Sequence, residues 1–161
     1  MKKILLAILF AASTTATCLA QKNSDDGKFS VGLELGLPTD DGALFATRAI
    51  GGSLKYDVAM SPGTFFTLSG GYTSLRGKDG WPPVGFVPLK AGLKYYLYKG
   101  FYGEGQAGAV LCTKSGGGTG FVYAPGIGYT FGSGFDIGAR YESWSQYGTI
   151  SQVGLRLGFS F

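Results

Sequence analysis

F-S-V-G-L-E-L-G-L, residues 29–37, decides the fold: Phe29, Val31, Leu33, Leu35 and Leu37 fall on one face of an extended chain, and Ser30, Gly32, Glu34 and Gly36 on the other. A period of two marks a β-strand, because successive side chains point to opposite faces of a sheet. One face is greasy and the other is small or charged. The chain closes on the same pattern, with Val153, Leu155, Leu157, Phe159 and Phe161 alternating with Gln152, Gly154, Arg156, Gly158 and Ser160. Between these ends the alternation predicts further strands at 47–58, 64–75, 86–97, 101–111, 120–131 and 134–144, the terminal pair being 29–37 and 151–161. Each has about the 9–11 residues that a tilted membrane strand needs, and the even number suits a closed bacterial barrel.

The connections carry separate information. Segments around 38–46, 76–85, 112–119 and 145–150 are longer than those around 59–63, 98–100 and 132–133, so long and short alternate. An up-and-down barrel with both termini in the periplasm gives this order: long external loops and short periplasmic turns. S-P-G at 61–63, K-G at 99–100 and G-S at 132–133 supply turn chemistry. Aromatic residues gather near the expected inner interface: Tyr56, Phe65, Phe66, Tyr95, Tyr96, Tyr98, Phe101, Tyr102, Phe131, Phe135, Phe159 and Phe161. Tyr72, Trp81, Phe86, Phe121, Tyr123, Tyr141 and Trp144 are expected at the opposite rim, since amphipathic rings favour the headgroup level. Pro88 and Pro125 are placed near the external ends of descending strands, where a bulge or a projecting strand would absorb the missing N–H.

The N-terminus reads as an export signal over 1–20: Lys2 and Lys3, an apolar run from Ile4 to Ala12, then small residues to Ala20. Residues 21–28 form a polar tail and 29–161 the barrel. Removing 1–20 leaves 12 basic and 10 acidic side chains, a net +2, too little for a nucleic-acid footprint. Cys112 is then alone, so no internal disulfide can form and backbone pairing must hold the fold. Charged residues are 15% of the chain, against about 25% in soluble domains. A soluble lipocalin-like carrier would show the same alternation turned inside out, with Lys, Glu and Thr crowding its polar face. That face here is mostly Gly, Ser and Ala, which suits a lumen with room only for side chains.

V-P-L-K-A-G-L-K-Y-Y-L at 87–97, F-Y-G-E-G-Q-A-G-A at 101–109, P-G-I-G-Y-T-F at 125–131 and L-R-L-G-F-S-F at 155–161 carry a resemblance. The chain resembles the small eight-stranded outer-membrane barrels that include the membrane domain of outer-membrane protein A and its short relatives. The resemblance covers the whole mature chain. It implies an all-β, antiparallel, transmembrane barrel in the outer membrane of a Gram-negative envelope, expected as a monomer in contact with outer-membrane lipid and lipopolysaccharide. It also implies that Leu157, Phe159 and Phe161 form the signal read by the outer-membrane assembly machinery.

Chemistry is sparse. G-E-G-Q-A-G at 103–108 fits a dinucleotide fingerprint, but no helix opens from it, so no cofactor is expected. Enzymes of the resembling families depend on histidine, and this chain has none, so no catalytic centre is expected. One mature Cys and no imidazole offer no metal site. Glu34, Lys55, Asp57, Lys90, Lys94, Glu104, Asp136, Arg140, Glu142 and Arg156 fall on the lumen face, five of each sign. Confined together, they are expected to pair, because a broken buried pair costs about 3–5 kcal/mol. A turn at Lys99 sets Lys94 opposite Glu104, and counting from the ends sets Glu34 level with Arg156. The function expected is structural or surface-interacting around a filled lumen, with Trp81 and Trp144 as external contacts. A narrow porin-like conduit is the alternative.

Overall fold

The computed structural model describes residues 27–39, 42–78, 80–114, 116–145 and 148–161. The expected signal at 1–20, and the tail as far as residue 26, lie outside the described residues. Eight strands, β1 (Lys28–Thr39), β2 (Ala46–Ser61), β3 (Thr64–Gly77), β4 (Val84–Tyr98), β5 (Phe101–Cys112), β6 (Thr119–Thr130), β7 (Phe135–Ser145) and β8 (Thr149–Ser160), form a closed barrel. Each pairs antiparallel with its neighbour, and β8 returns to β1 along a ten-residue seam from Ser30↔Ser160 to Thr39↔Ser151. Closure leaves no free edge, as a sheet in hydrocarbon requires. One helical turn, α1 (Gly42–Phe45), lies between β1 and β2.

Strands of 11 to 16 residues outrun the roughly 9–11 that cross a bilayer, so the longest, β2, β3 and β4, have turns of chain to spare. The connections after β1, β3, β5 and β7 gather at one end, hereafter the loop end; the short turns and both described termini sit at the other. The expected alternation of lengths holds for the first six connections and fails at the last. Pairing of β7 with β8 continues to Ser145↔Thr149, leaving only 146–148 as the connection, while 131–134 forms a four-residue turn. At the β4–β5 turn Lys99 (φ 39°) and Gly100 (φ 90°) both take positive φ, the geometry of the two-residue hairpin whose twist matches its strands.

The barrel is apolar outside and polar within. Among the described residues thirty large apolar side chains are exposed, including Leu33, Leu54, Leu68, Leu89, Leu93, Ile127 and Phe159, whereas charged Lys55, Lys90, Lys94, Asp136, Glu142 and Arg156 are buried. A soluble protein shows the reverse. The lipocalin-like arrangement is thereby excluded, because most aliphatic residues of the strands face outward and the charged residues fill the interior, the inward aliphatic ones being confined to the loop end.

Three expectations need correction. Neither proline makes a bulge: register runs from Gly70↔Leu89 to Thr73↔Phe86 across Pro88 and from Tyr123↔Ser143 to Gly126↔Arg140 across Pro125 without a shift. The ladder opens by two pairs and closes again, and Pro125 sits mid-strand opposite Gly105 rather than near the loop end. Phe86 and Trp144 are not rim residues. Both have lumen parity and are buried against each other, with ring centroids 4.8 Å apart. At the termini end Phe65, Tyr96 and Tyr102 likewise turn inward, Tyr96 meeting Phe65 at 5.6 Å and Tyr102 at 5.7 Å; the girdle is made by their outward neighbours such as Tyr95 and Phe101.

Candidate functional site

The interior is built in three levels. Nearest the termini end, Asp136 accepts hydrogen bonds from Tyr102 (3.0 Å) and Thr130 (2.9 Å), and Arg156 lies 3.3 Å from it. Lys94 reaches Asp57 at 3.4 Å and Asp136 at 3.7 Å, and its ammonium sits 3.9 Å from the centre of the Tyr102 ring. Lys55 meets Glu104 at 2.5 Å. Midway, Gln106 donates to Thr67 (3.1 Å) and Arg140 pairs with Glu34. Glu142 receives Lys90 (2.6 Å), Arg140 (2.9 Å) and the indole N–H of Trp144 (2.6 Å).

All ten of the lumen charges singled out in the sequence therefore meet inside the barrel, each within 4 Å of an opposite charge. The register does place Lys94 across from Glu104 and Glu34 across from Arg156. Their ion pairs go elsewhere: Lys94 to Asp57 and Asp136, Glu104 to Lys55, Glu34 to Arg140, Arg156 to Asp136. Long side chains in a narrow staggered barrel cross the axis, so the nearest opposite charge is seldom the residue directly opposite in the ladder.

Above Glu142 the polar interior stops. Ala46, Ala49, Leu75, Phe86, Val110, Val122 and Trp144 pack into an apolar plug, with Val84, Cys112 and Ile150 against it. Trp144 belongs to both levels, its ring in the plug and its N–H on Glu142. It is 2% exposed and cannot be the external contact expected of it; the physical reason is parity, since it follows Arg140 and Glu142 on the inward face of β7. Trp81 is 71% exposed at the loop end. Leu157, Phe159 and Phe161 all lie on the outer face at the termini end, Phe159 and Phe161 exposed and Leu157 partly so.

Over the plug lies a cavity of about 420 Å³ lined by Leu44, Ala46, Leu75, Gly77, Lys78, Trp81, Pro82, Val84, Phe86 and Ile150. Sequence reasoning missed it and its floor. A signal was present: on the inward face β3 passes from Thr73 to Leu75, β5 from Gln106 to Val110 and β7 from Glu142 to Trp144, so polarity switches at one height on three strands. Among the described residues no three side chains of the Cys, Asp or Glu type converge as metal ligands do.

No family model and no curated protein matches the chain. Solved structures do. The chain is similar to Ail, the attachment invasion locus protein of Yersinia pestis, at 18% identity and a TM-score of 0.62, covering 84% of this chain and 97% of that one. It is also similar to the N-terminal β-barrel domain of Pseudomonas aeruginosa OprF (16%, TM-score 0.63, 84% and 98%) and to the outer membrane enzyme PagL (15%, TM-score 0.63, 81% and 98%). One of these is an enzyme, so fold alone does not decide catalysis. What the likeness does carry is architecture: this chain has the transmembrane fold of the small eight-stranded outer-membrane barrels.

Proposed function

We propose that the chain is an integral outer-membrane protein that seals its own lumen and works at its loop end, in a structural or surface-interacting role without a catalytic centre. The observation that carries this reading is the filled interior: among the described residues, ten paired charges lie beneath an apolar plug. A hydrated ion entering from the loop end would lose its water against Phe86, Val110 and Trp144, where no polar group replaces it. The loop end faces outward and the chain termini the periplasm, as short turns and long loops suggest. Leu157, Phe159 and Phe161 engage the assembly machinery, outer-membrane lipid and lipopolysaccharide surround the belt, and the protein is a monomer. Trp81 serves as an external contact. The likeness to an attachment protein supports looking for adhesion at that end.

The narrow conduit is the second reading, and the cavity at the mouth favours it. Its blind floor argues against it. Refolded protein in planar bilayers tests the choice: the sealed barrel gives no current steps above bare membrane, whereas reproducible channels weakened by Lys94→Ala would establish the conduit and overturn the proposal.

A further inference from the structure

The mouth cavity has the size of a small-molecule site, within the range of about 300–1,000 Å³. Filled with solvent it would hold roughly fourteen waters at about 30 Å³ each, and walls of Leu, Trp, Pro, Val, Phe and Ile offer them almost no hydrogen bonds. An apolar chain replaces that water favourably. The shape is set by neighbours that leave room. The Trp81 backbone N–H donates to the Lys78 carbonyl at 2.9 Å, folding the loop back over Gly77, where any side chain would strike the Trp81 backbone. Leu44 of α1 forms another part of the wall, and the Lys78 ammonium donates to the Ala43 carbonyl at 2.9 Å, tying the two loops together across the mouth. Lys78 is the one cation among the described lining residues, and one of the three N–H donors of its ammonium makes this bond.

We infer that this cavity takes the hydrocarbon chain of a single-chain anionic amphiphile, with its carboxylate or phosphate against Lys78. The floor of Phe86, backed by Trp144, limits the chain to at most about fourteen carbons, if each methylene fills close to the volume of a water. The inference deepens the reading of the loop end as the working surface, and rests on it only for access from outside. A free fatty acid and one chain of a membrane lipid share this chemistry.

The test uses the protein reconstituted in nanodiscs, with brominated dodecanoate quenching the emission of Trp81 in the cavity wall. Dodecanoate should bind saturably. Ala46→Phe, which fills the cavity from its wall, should abolish the saturable quenching, and Lys78→Met should weaken dodecanoate at least tenfold while leaving brominated dodecanol unchanged. Unfolding of each variant in urea confirms that the barrel is intact. Quenching that Ala46→Phe does not alter is partition into the nanodisc alone and overturns the site; equal binding of acid and alcohol by the natural protein and Lys78→Met overturns the anionic headgroup. Native mass spectrometry of protein taken from membranes then distinguishes a retained single-chain acid, which supports the proposal, from a retained multi-chain lipid, which would overturn the single-chain occupant. Channel currents alongside chain binding would sink the sealed-lumen proposal and leave this site standing, whereas absence of binding in a silent barrel would sink only the site.

Discussion

Glu142 is the carboxylate on which the interior turns. It is 1% exposed and holds Lys90, Arg140 and the Trp144 indole at 2.6, 2.9 and 2.6 Å. Glu142→Gln keeps the shape and an acceptor for the indole, and removes only the charge. Arg140 still has Glu34, but Glu142 is the carboxylate within ion-pair distance of Lys90 among the described residues, so Lys90 becomes a buried ammonium without its ion-pair partner. The expected loss is about 3–5 kcal/mol, which is a factor of hundreds to thousands in the folding equilibrium. Urea titration in lipid vesicles, followed by tryptophan emission and read in both directions, measures it. Adding Lys90→Met removes the stranded charge, so the double variant should recover most of the loss and stand within about 2 kcal/mol of the natural protein. A Glu142→Gln loss below about 1 kcal/mol, or a double variant whose loss equals the sum of the two singles, would refute the reasoning, because either result means that Lys90 is not held by Glu142.

Other outcomes follow from particular positions. A methyl group at Gly92 would collide with the Gly105 carbonyl of the neighbouring strand, whereas nothing lies within 4 Å of one at Gly105. Gly92→Ala should therefore lower stability by about 1–3 kcal/mol and Gly105→Ala by less than about 1 kcal/mol, measured by the same titration. Acrylamide should quench Trp81 and leave Trp144 nearly untouched, so the emission of Trp81→Phe should be blue and resistant to quencher, and a readily quenched spectrum would place Trp144 outside the lumen. Phe161→Ala should leave refolding into detergent unchanged and reduce the fraction assembled in cells; normal assembly would show that the terminal aromatic is only one more lipid-facing residue.

Much of the barrel was legible because a strand with one face in lipid and the other in a lumen must alternate strictly. That constraint located the eight strands, with nearly every end within two residues of the observed one, and it sorted Glu34, Lys90 and Arg156 inward. Parity also fixed the ladder, so Lys94 and Glu104 face each other. It could not say which charges touch, since the partner of Lys94 depends on what crosses the axis from β2 and β7, a matter of barrel stagger that no local pattern records. Phe86 and Trp144 were misplaced for a different reason. Aromatic residues near strand ends suit an interfacial belt, and that expectation overrode their inward parity, hiding the plug and with it the cavity that Trp81 helps to wall. Pro125 misled because a missing N–H was expected to need a bulge, while the ladder instead lost two pairs and kept its count.

Val110 lies on the inward face of β5 in the middle of the plug and is wholly buried. Introduced as Val110→Cys in a Cys112→Ser background and reconstituted in vesicles, the thiol gives the most direct test of a sealed interior through its reaction with a small charged methanethiosulfonate added from either side. The account predicts no modification over hours from either face, while a control cysteine at Gly148 in the last connection at the loop end reacts within minutes. Rapid modification of Val110→Cys in a barrel whose unfolding midpoint is unchanged would mean that water and ions reach the centre, and would contradict it.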